Sequence, residues 1–163
     1  MSGVSLEIKI DDVEIQRALE GLLQAGQDLT PAMDEAGSAL VTSILMNFEN
    51  ETDPDGNKWL PSIRAREEGG LTLSDKGHLA NSITHIAGNE EVEAGTNVPY
   101  AAVHQGGAVI KAKTSKGLRF KIGNTWSNKQ SVTIPKRQFI GIGEDDKEML
   151  SDILRNHLER VLQ

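Results

Sequence analysis

The sequence predicts an α+β fold, in which a small mixed or antiparallel sheet with a basic β-hairpin packs against a long central helix and a C-terminal helix. Three observations support this class. Apolar residues recur at helical spacing towards both ends of the chain, they alternate with polar residues in the middle, and glycines and prolines separate the alternating stretches. With 163 residues, of which 37% are hydrophobic, the chain is predicted to form a single domain over 1–163.

The first elements are a predicted strand and a predicted helix. Residues 4–10 alternate between apolar and polar side chains, which is typical of an edge or half-buried strand. The period changes to that of a helix over residues 12–26, where Gly26 is predicted to end the helix.

A longer helix is predicted next and is expected to form the centre of the domain. Thr30 is predicted as its N-cap and Pro31 as its first residue, and it is expected to end near Asn50. Asp34 and Glu35 are expected to face the positive end of the helix dipole. Its apolar stripe is predicted to consist of Met33, Ala36, Leu40, Ile44, Leu45 and Phe48.

The middle of the chain is predicted to alternate between irregular segments and short elements. Residues 51–73 are expected to be irregular, because they contain a Pro-Asp-Gly turn and a Gly-Gly pair. Residues 74–83 are predicted as a short helix. Residues 82–88 and 91–96 are predicted as two strands that turn around a Gly-Asn pair.

The clearest hairpin signal consists of residues 108–114 and 117–123, which alternate well and flank a Ser-Lys-Gly turn. Residues 131–141 are expected to be extended, because Pro135 forbids a helix there. The hairpin carries five basic residues that are predicted to contact a partner: Lys111, Lys113, Lys116, Arg119 and Lys121. A final helix is predicted over 144–162 with the apolar stripe Met149, Leu150, Ile153, Leu154, Leu158 and Val161.

Charge is divided sharply along the chain. The net charge is −7, yet no Asp or Glu lies between Glu93 and Glu144. That stretch holds eight of the 17 basic residues, so the remainder has nine bases against all 24 acids, a balance of −15. A chain divided in this way can attract copies of itself or an external polyanion.

The residues around His104 are the first candidates for chemistry, and the sequence gives them no partners. There is no Gly-x-Ser-x-Gly motif, and "HQGG" is interpreted as the end of a short helix with Gly106 or Gly107 in a left-handed conformation. Trp59 is interpreted as a core residue in preference to a binding hot spot. The sequence therefore predicts no catalytic residue, and the protein is not expected to be an enzyme.

No metal, cofactor or membrane site is predicted. The chain has no cysteine, and its four histidines lack the i, i+4 spacing of a helical metal site. A calcium loop that began at Asp53 would place Arg64 where a glutamate is needed. No apolar window is long enough to span a membrane and no signal peptide is recognised, so the bacterial or host cytoplasm is expected.

Four segments, 48–62, 74–83, 100–107 and 134–146, occur in an order that resembles the phage virion morphogenesis family, also called the phage tail completion family. The resemblance covers residues 28–162. The last motif of the family is usually closer to Ile-Pro-Ala-Arg-Pro-Phe-Leu-Gly, in which Lys136 and Gln138 here replace the alanine and the second proline.

This resemblance implies a structural protein that completes the tail or the head–tail junction (neck) during virion assembly. It implies a ring oligomer of the kind that related proteins form, often a hexamer, with copies of itself and other neck or tail proteins as partners, first in the host cytoplasm and then in the virion. For the basic hairpin two readings stay open: its bases are ordinary solvated residues that point outward, or they meet an acidic surface such as 144–148 or 89–93. The alternative is a small nucleic-acid-binding module that uses hairpin 111–121, which the overall charge of −7 disfavours.

Overall fold

The structure, a computed structural model, describes residues 28–122 and 125–161, together with residues 20, 21 and 26. The predicted strand over 4–10 lies outside the described residues, as does most of the predicted helix over 12–26. The described elements are α1 (Thr30–Asn50), α2 (Ile63–Glu68), a 3₁₀ helix (Ala80–Ser82), β1 (Thr84–Ala87), β2 (Val92–Gly95), α3 (Ala101–Gly106), β3 (Ala108–Lys111), β4 (Leu118–Ile122), β5 (Thr125–Lys129), β6 (Ser131–Ile134) and α4 (Glu144–Val161). This arrangement confirms the α+β class.

Helix α1 is the predicted central helix, but its first turn differs from the prediction. Leu29 is the N-cap residue, and the Asp28 carboxylate accepts a hydrogen bond of 3.0 Å from the backbone N–H of Thr30, so Thr30 is not the cap. The first turn contains no acid. Asp34 and Glu35 lie one turn further and have distant partners instead, because Asp34 accepts from His85 and Glu35 accepts from Arg160 of α4.

The buried face of α1 carries the core of the domain. Its buried residues are Ala32, Ala36, Gly37, Leu40, Ile44 and Phe48, which include four of the six predicted stripe residues. Helix α1 packs against β1, β2 and α4. Gly37 allows β1 to lie close against α1, since a Cβ at this position would lie 2.3 Å from the ring of His85 on β1. Of the predicted α4 stripe, Ile153 is buried, whereas Leu154 and Leu158 remain 36% and 37% exposed.

The sheet is divided into two-stranded antiparallel pairs. Strand β1 pairs with β2, as predicted. The predicted hairpin is wrong in its pairing, because β3 pairs with β6 and β4 pairs with β5. Apolar cross-strand neighbours explain this register: Ala108 faces Ile134 and Ile110 faces Val132. The link from β4 to β5 is a Gly-Asn pair, which is itself a hairpin signal, at residues 123–124 outside the described part of the chain.

Two short elements also differ from the prediction. Within residues 74–83 only Ala80–Ser82 is helical, as a 3₁₀ turn, because Gly77 with a φ of 73° interrupts the segment. Within the predicted irregular region, α2 forms between two local signals. The Ser62 hydroxyl accepts a 3.0 Å hydrogen bond from the N–H of Ala65, and Gly69 ends the helix with a φ of 81°.

Candidate assembly surfaces

The segment that follows β6 pairs with no strand in the described structure. Its backbone at residues 138–140 is instead hydrogen-bonded by the side chains of Asn47, Trp59 and Gln105, here called the clamp. Trp59 is 6% exposed and donates from Nε1 to the carbonyl of Gln138 at 2.9 Å. Asn47 of α1 donates to the carbonyl of Phe139 at 3.2 Å. Phe139 is fully buried, with its ring 5.0 Å from that of Phe48. Trp59 is therefore the core residue that the sequence predicted.

Gln105 explains the polar cluster around "VHQGG". Its Oε1 accepts hydrogen bonds from the N–H groups of Phe139 and Ile140 at 3.0 and 3.1 Å, and its Nε2 donates to the carbonyl of Ile140 at 2.6 Å. The carbonyl of His104 accepts from the N–H of Arg137 at 2.7 Å. The Gln105 amide thus provides the backbone hydrogen bonds that a neighbouring strand would otherwise provide at residues 139–140. The polar cluster therefore stabilises the fold.

Gly107 turns the chain from α3 into β3. Its φ of 73° and ψ of 160° confirm the prediction that Gly106 or Gly107 has a positive φ. A Cβ at Gly107 would lie 2.9 Å from the backbone nitrogen of Lys136, whereas one at Gly106 would meet nothing within 4 Å. The position requires glycine, and it sets the direction in which β3 leaves the core.

His104 is half-buried, with its ring 6.2 Å from that of Tyr100 in an edge arrangement. Burial, and then the nearby Arg137 cation, lower the pKa of His104 from its ordinary value. Its Nδ1 has no hydrogen-bond partner in the described part of the chain. No three His, Asp or Glu side chains among the described residues are grouped to hold a metal.

The principal surface feature is a two-stranded ribbon, here called the arm, formed by β3 to β6 over residues 108–134. Its inner ladder pairs β3 with β6 and continues through the N–H of Ala112, which donates to Gln130 at 2.8 Å. Its outer ladder pairs β4 with β5. At about 3.4 Å per residue, the nine register pairs extend over roughly 30 Å. In the described structure, these four strands contact one another, and none of them makes more than marginal contact with any other element.

The two ladders are joined by an insertion on one strand, residues 113–117. The side chain of Asn128 donates to the carbonyl of Lys116 at 2.8 Å, and that of Gln130 donates to Ser115 at 3.2 Å. Gly117 has a φ of 76°, and a Cβ there would overlap the Asn128 side chain. These contacts keep the arm continuous across the insertion.

The predicted contact residues all lie on the arm and are all exposed, but they are not on one simple hairpin. Lys111 belongs to the inner ladder, Lys113 and Lys116 to the insertion, and Arg119 and Lys121 to the outer ladder. Each ladder places its alternate side chains on one face, so Arg119 and Lys121 share a face of the outer ladder.

The sequence interpretation missed the strand β5 and therefore the residues opposite β4. Trp126 lies opposite Lys121 and is 60% exposed, and the Arg119 guanidinium lies 4.5 Å above its ring. Lys129 adds a further exposed base. Val109 is also 59% exposed. The arm thus combines positive charge with uncovered apolar area, and it holds no acid.

An acidic groove lies elsewhere on the domain, between α1, the 53–57 turn and the start of α4. It has a volume of about 880 Å³, and five acids line it: Asp53, Asp55, Glu144, Asp145 and Asp146. Asp53 accepts hydrogen bonds within its own turn, and Asp146 accepts from the N–H of Gly143 at 2.8 Å. Asp55 and Asp145 are exposed, and their carboxylates accept no hydrogen bond from the described residues. The groove therefore presents negative charge to an incoming partner.

Comparison with known proteins gives the class of protein to which this chain belongs. Residues 10–159 match the model of the phage virion morphogenesis family, and the chain belongs to that family. The match begins upstream of residue 28, the predicted start of the resemblance. The chain is also 33% identical over 150 residues, 91% of its length, to Mu-like prophage FluMu G protein 2 of Haemophilus influenzae, of which 93% is covered.

No solved structure matches the chain. None of the helices that the structure describes is long and apolar enough to cross a membrane. Membership of the phage virion morphogenesis family gives the chain a role in the morphogenesis of phage particles.

Proposed function

We propose that this protein completes the tail or the head–tail junction (neck) during virion assembly, as a subunit of a ring and without catalysis. The observation that carries the proposal is the arm, which has six exposed bases and no acid, and with which no other described element makes more than marginal contact. An isolated two-stranded ribbon with exposed apolar residues is a poor element for a monomer, because such ribbons are marginally stable in water.

The arm and the acidic groove supply complementary surfaces on the same chain. A contact between the arm of one copy and the groove of the next is heterologous, and such contacts close into a ring when the rotation between copies permits. Single exposed ion pairs contribute roughly 0–1 kcal/mol, so the interaction depends on several of them acting together. A six-membered ring and contacts with other neck or tail proteins extend the proposal, first in the host cytoplasm and then in the virion.

Light scattering on the purified protein across a salt series tests the ring. Because the screening length falls from ~8 Å at 0.15 M to ~3 Å at 1 M salt, a ring held by charge should dissociate as salt rises. A monomer at every salt and protein concentration would contradict self-assembly. In parallel, a prophage that lacks the gene should accumulate unjoined heads and tails, visible by electron microscopy; fully joined particles would contradict the role at the junction.

A second candidate function is nucleic-acid binding, which the exposed Trp126 beside Arg119 favours. Aromatic side chains on a basic surface can stack against unpaired bases. Filter binding with single-stranded and duplex DNA across a salt series tests it. The ring proposal predicts only weak binding that is lost by physiological salt, whereas retention that depends on Trp126 would favour the nucleic-acid module.

A further inference from the structure

Arg137 is a buried cation without a counter-charge among the described residues. It is only 6% exposed, and its Nε donates to the carbonyl of Leu60 at 2.8 Å. The described structure gives no acceptor to its two terminal nitrogens and no carboxylate within ion-pair distance. A guanidinium has five N–H donors and stays charged in proteins, so burying it unpaired is costly.

The guanidinium lines a small cleft between α3, the start of α2 and residues 72–79. The cleft has a volume of about 270 Å³, and His104 and Tyr100 also line it. The Nδ1 atom of His104 is buried and has no partner in the described structure. Two buried polar atoms without a hydrogen-bond partner in the described residues, Nδ1 of His104 and Oγ1 of Thr72, therefore border the same cavity as the guanidinium, which is the arrangement expected where a ligand supplies the missing partners.

We propose that this cleft binds a single carboxylate group, with the two terminal nitrogens of Arg137 donating in parallel to its two oxygens. His104 lies where its ring can add a third hydrogen bond. The proposal is independent of the arm, and it makes the cleft a socket for an acidic side chain of a neighbouring protein or for a small free acid.

Charge balance favours a carboxylate over phosphate. Arg137 is the buried cation of the cleft, whereas Lys76 is exposed to solvent and Asp75 lies 4.0 Å from Nε of Arg64, with which it pairs. One buried guanidinium matches one negative charge, whereas a phosphate dianion would leave a charge uncompensated. The planar edge of the guanidinium also fits the two oxygens of a carboxylate.

The test is a nuclear magnetic resonance titration of the intact, ¹⁵N-labelled protein, in which the side-chain signals of Arg137 and His104 are followed at constant ionic strength. Acetate should shift both signals saturably, with a Kd of about 1–100 mM, as expected for one charged contact. Inorganic phosphate should bind more weakly. Shifts that grow linearly without saturation, or tighter binding of phosphate than of acetate, would overturn the proposal.

A blocked glutamate, N-acetylglutamic acid amide, distinguishes the two sources of the carboxylate. Binding at least as tight as that of acetate supports an acidic side chain as the occupant, whereas saturable binding of acetate alone supports a free acid. Lys136→Gln is the matched control, since Lys136 is the adjacent residue and its loss changes the net charge equally. Arg137→Gln should abolish saturation and Lys136→Gln should retain it; the wild-type titration decides the matter if Arg137→Gln does not fold.

Discussion

Gly107→Ala should destabilise the domain through one backbone position. The φ of 73° and ψ of 160° at Gly107 belong to a region that is essentially restricted to glycine, where another residue costs roughly 1–3 kcal/mol. The new Cβ would also lie 2.9 Å from the nitrogen of Lys136 and 3.2 Å from the carbonyl oxygen of Ile134. Both are backbone atoms that cannot rotate away, so we expect a total loss of about 2–4 kcal/mol.

Gly106→Ala is the matched control for this change, because it adds the same methyl group one residue earlier. Gly106 is the last residue of α3, has no positive φ, and offers open space to a methyl group, which would meet nothing within 4 Å. The substitution should leave stability within about 0.5 kcal/mol or raise it by up to ~1 kcal/mol, since alanine favours helix more than glycine does.

Urea unfolding and thermal melting of the two variants provide the assay. For a domain of this size, 1 kcal/mol corresponds to roughly 2–4 °C in Tm, so Gly107→Ala should melt about 4–16 °C below the parent. If Gly107→Ala melts with the parent, or if both variants lose the same amount, the backbone conformation at Gly107 does not require glycine.

Three further predictions concern the core and the clamp. Leu40→Asp would bury an unpaired charge and should cost several kcal/mol in urea unfolding. Ser38→Asp on the exposed face of α1 should cost under about 1 kcal/mol, and equal effects would refute the core assignment. Gln105→Ala leaves the backbone N–H groups of Phe139 and Ile140 without their acceptor and should cost about 2–4 kcal/mol. Amide exchange at residues 139–140 should become faster, and unchanged exchange would contradict this role of Gln105. Burial and the Arg137 cation lower the pKa of His104 in the folded protein. As the pH drops below about 6.5, the imidazole therefore binds a proton more readily in the unfolded chain than in the folded one, and the free energy of unfolding falls. His104→Ala should therefore flatten the pH dependence of Tm between about pH 7 and 5 while assembly persists, and an unchanged profile would contradict this.

Sequence reasoning succeeds where a local pattern determines the structure. The apolar spacing of α1 indicates which face is buried, because a helix brings residues three and four apart together whatever surrounds it. Gly107 follows from the need for a left-handed residue after a short helix. The pairing of β3 does not follow, since alternation predicts a strand but does not identify its partner, and the true partner β6 lies beyond another hairpin.

The candidate surfaces could be predicted only in part. The acid-free composition is enough to identify the arm as basic, because charge is visible in the sequence. The acids of the groove are not adjacent in sequence: Asp55 belongs to a turn after α1 and Asp145 to α4. In the sequence Arg137 is one base among the eight of the acid-free stretch, and its burial depends on the tertiary positions of Leu60 and His104.

If the arm of one copy binds the acidic groove of another, exchanging the charges of the two surfaces should first abolish and then restore the contact. Lys111, Lys113 and Lys121 changed together to Glu should give a folded protein that no longer self-associates in light scattering. Asp55 and Asp145 changed together to Lys should have the same effect, because neither carboxylate accepts a hydrogen bond from the described residues. The chain that carries both sets of changes regains opposite charges on the two surfaces, and we predict that it recovers assembly. Two results would show that the arm and the groove are not partners. One is a five-residue variant that is folded but stays monomeric, and the other is assembly at the parental level by the variant with only the Lys→Glu changes or only the Asp→Lys changes.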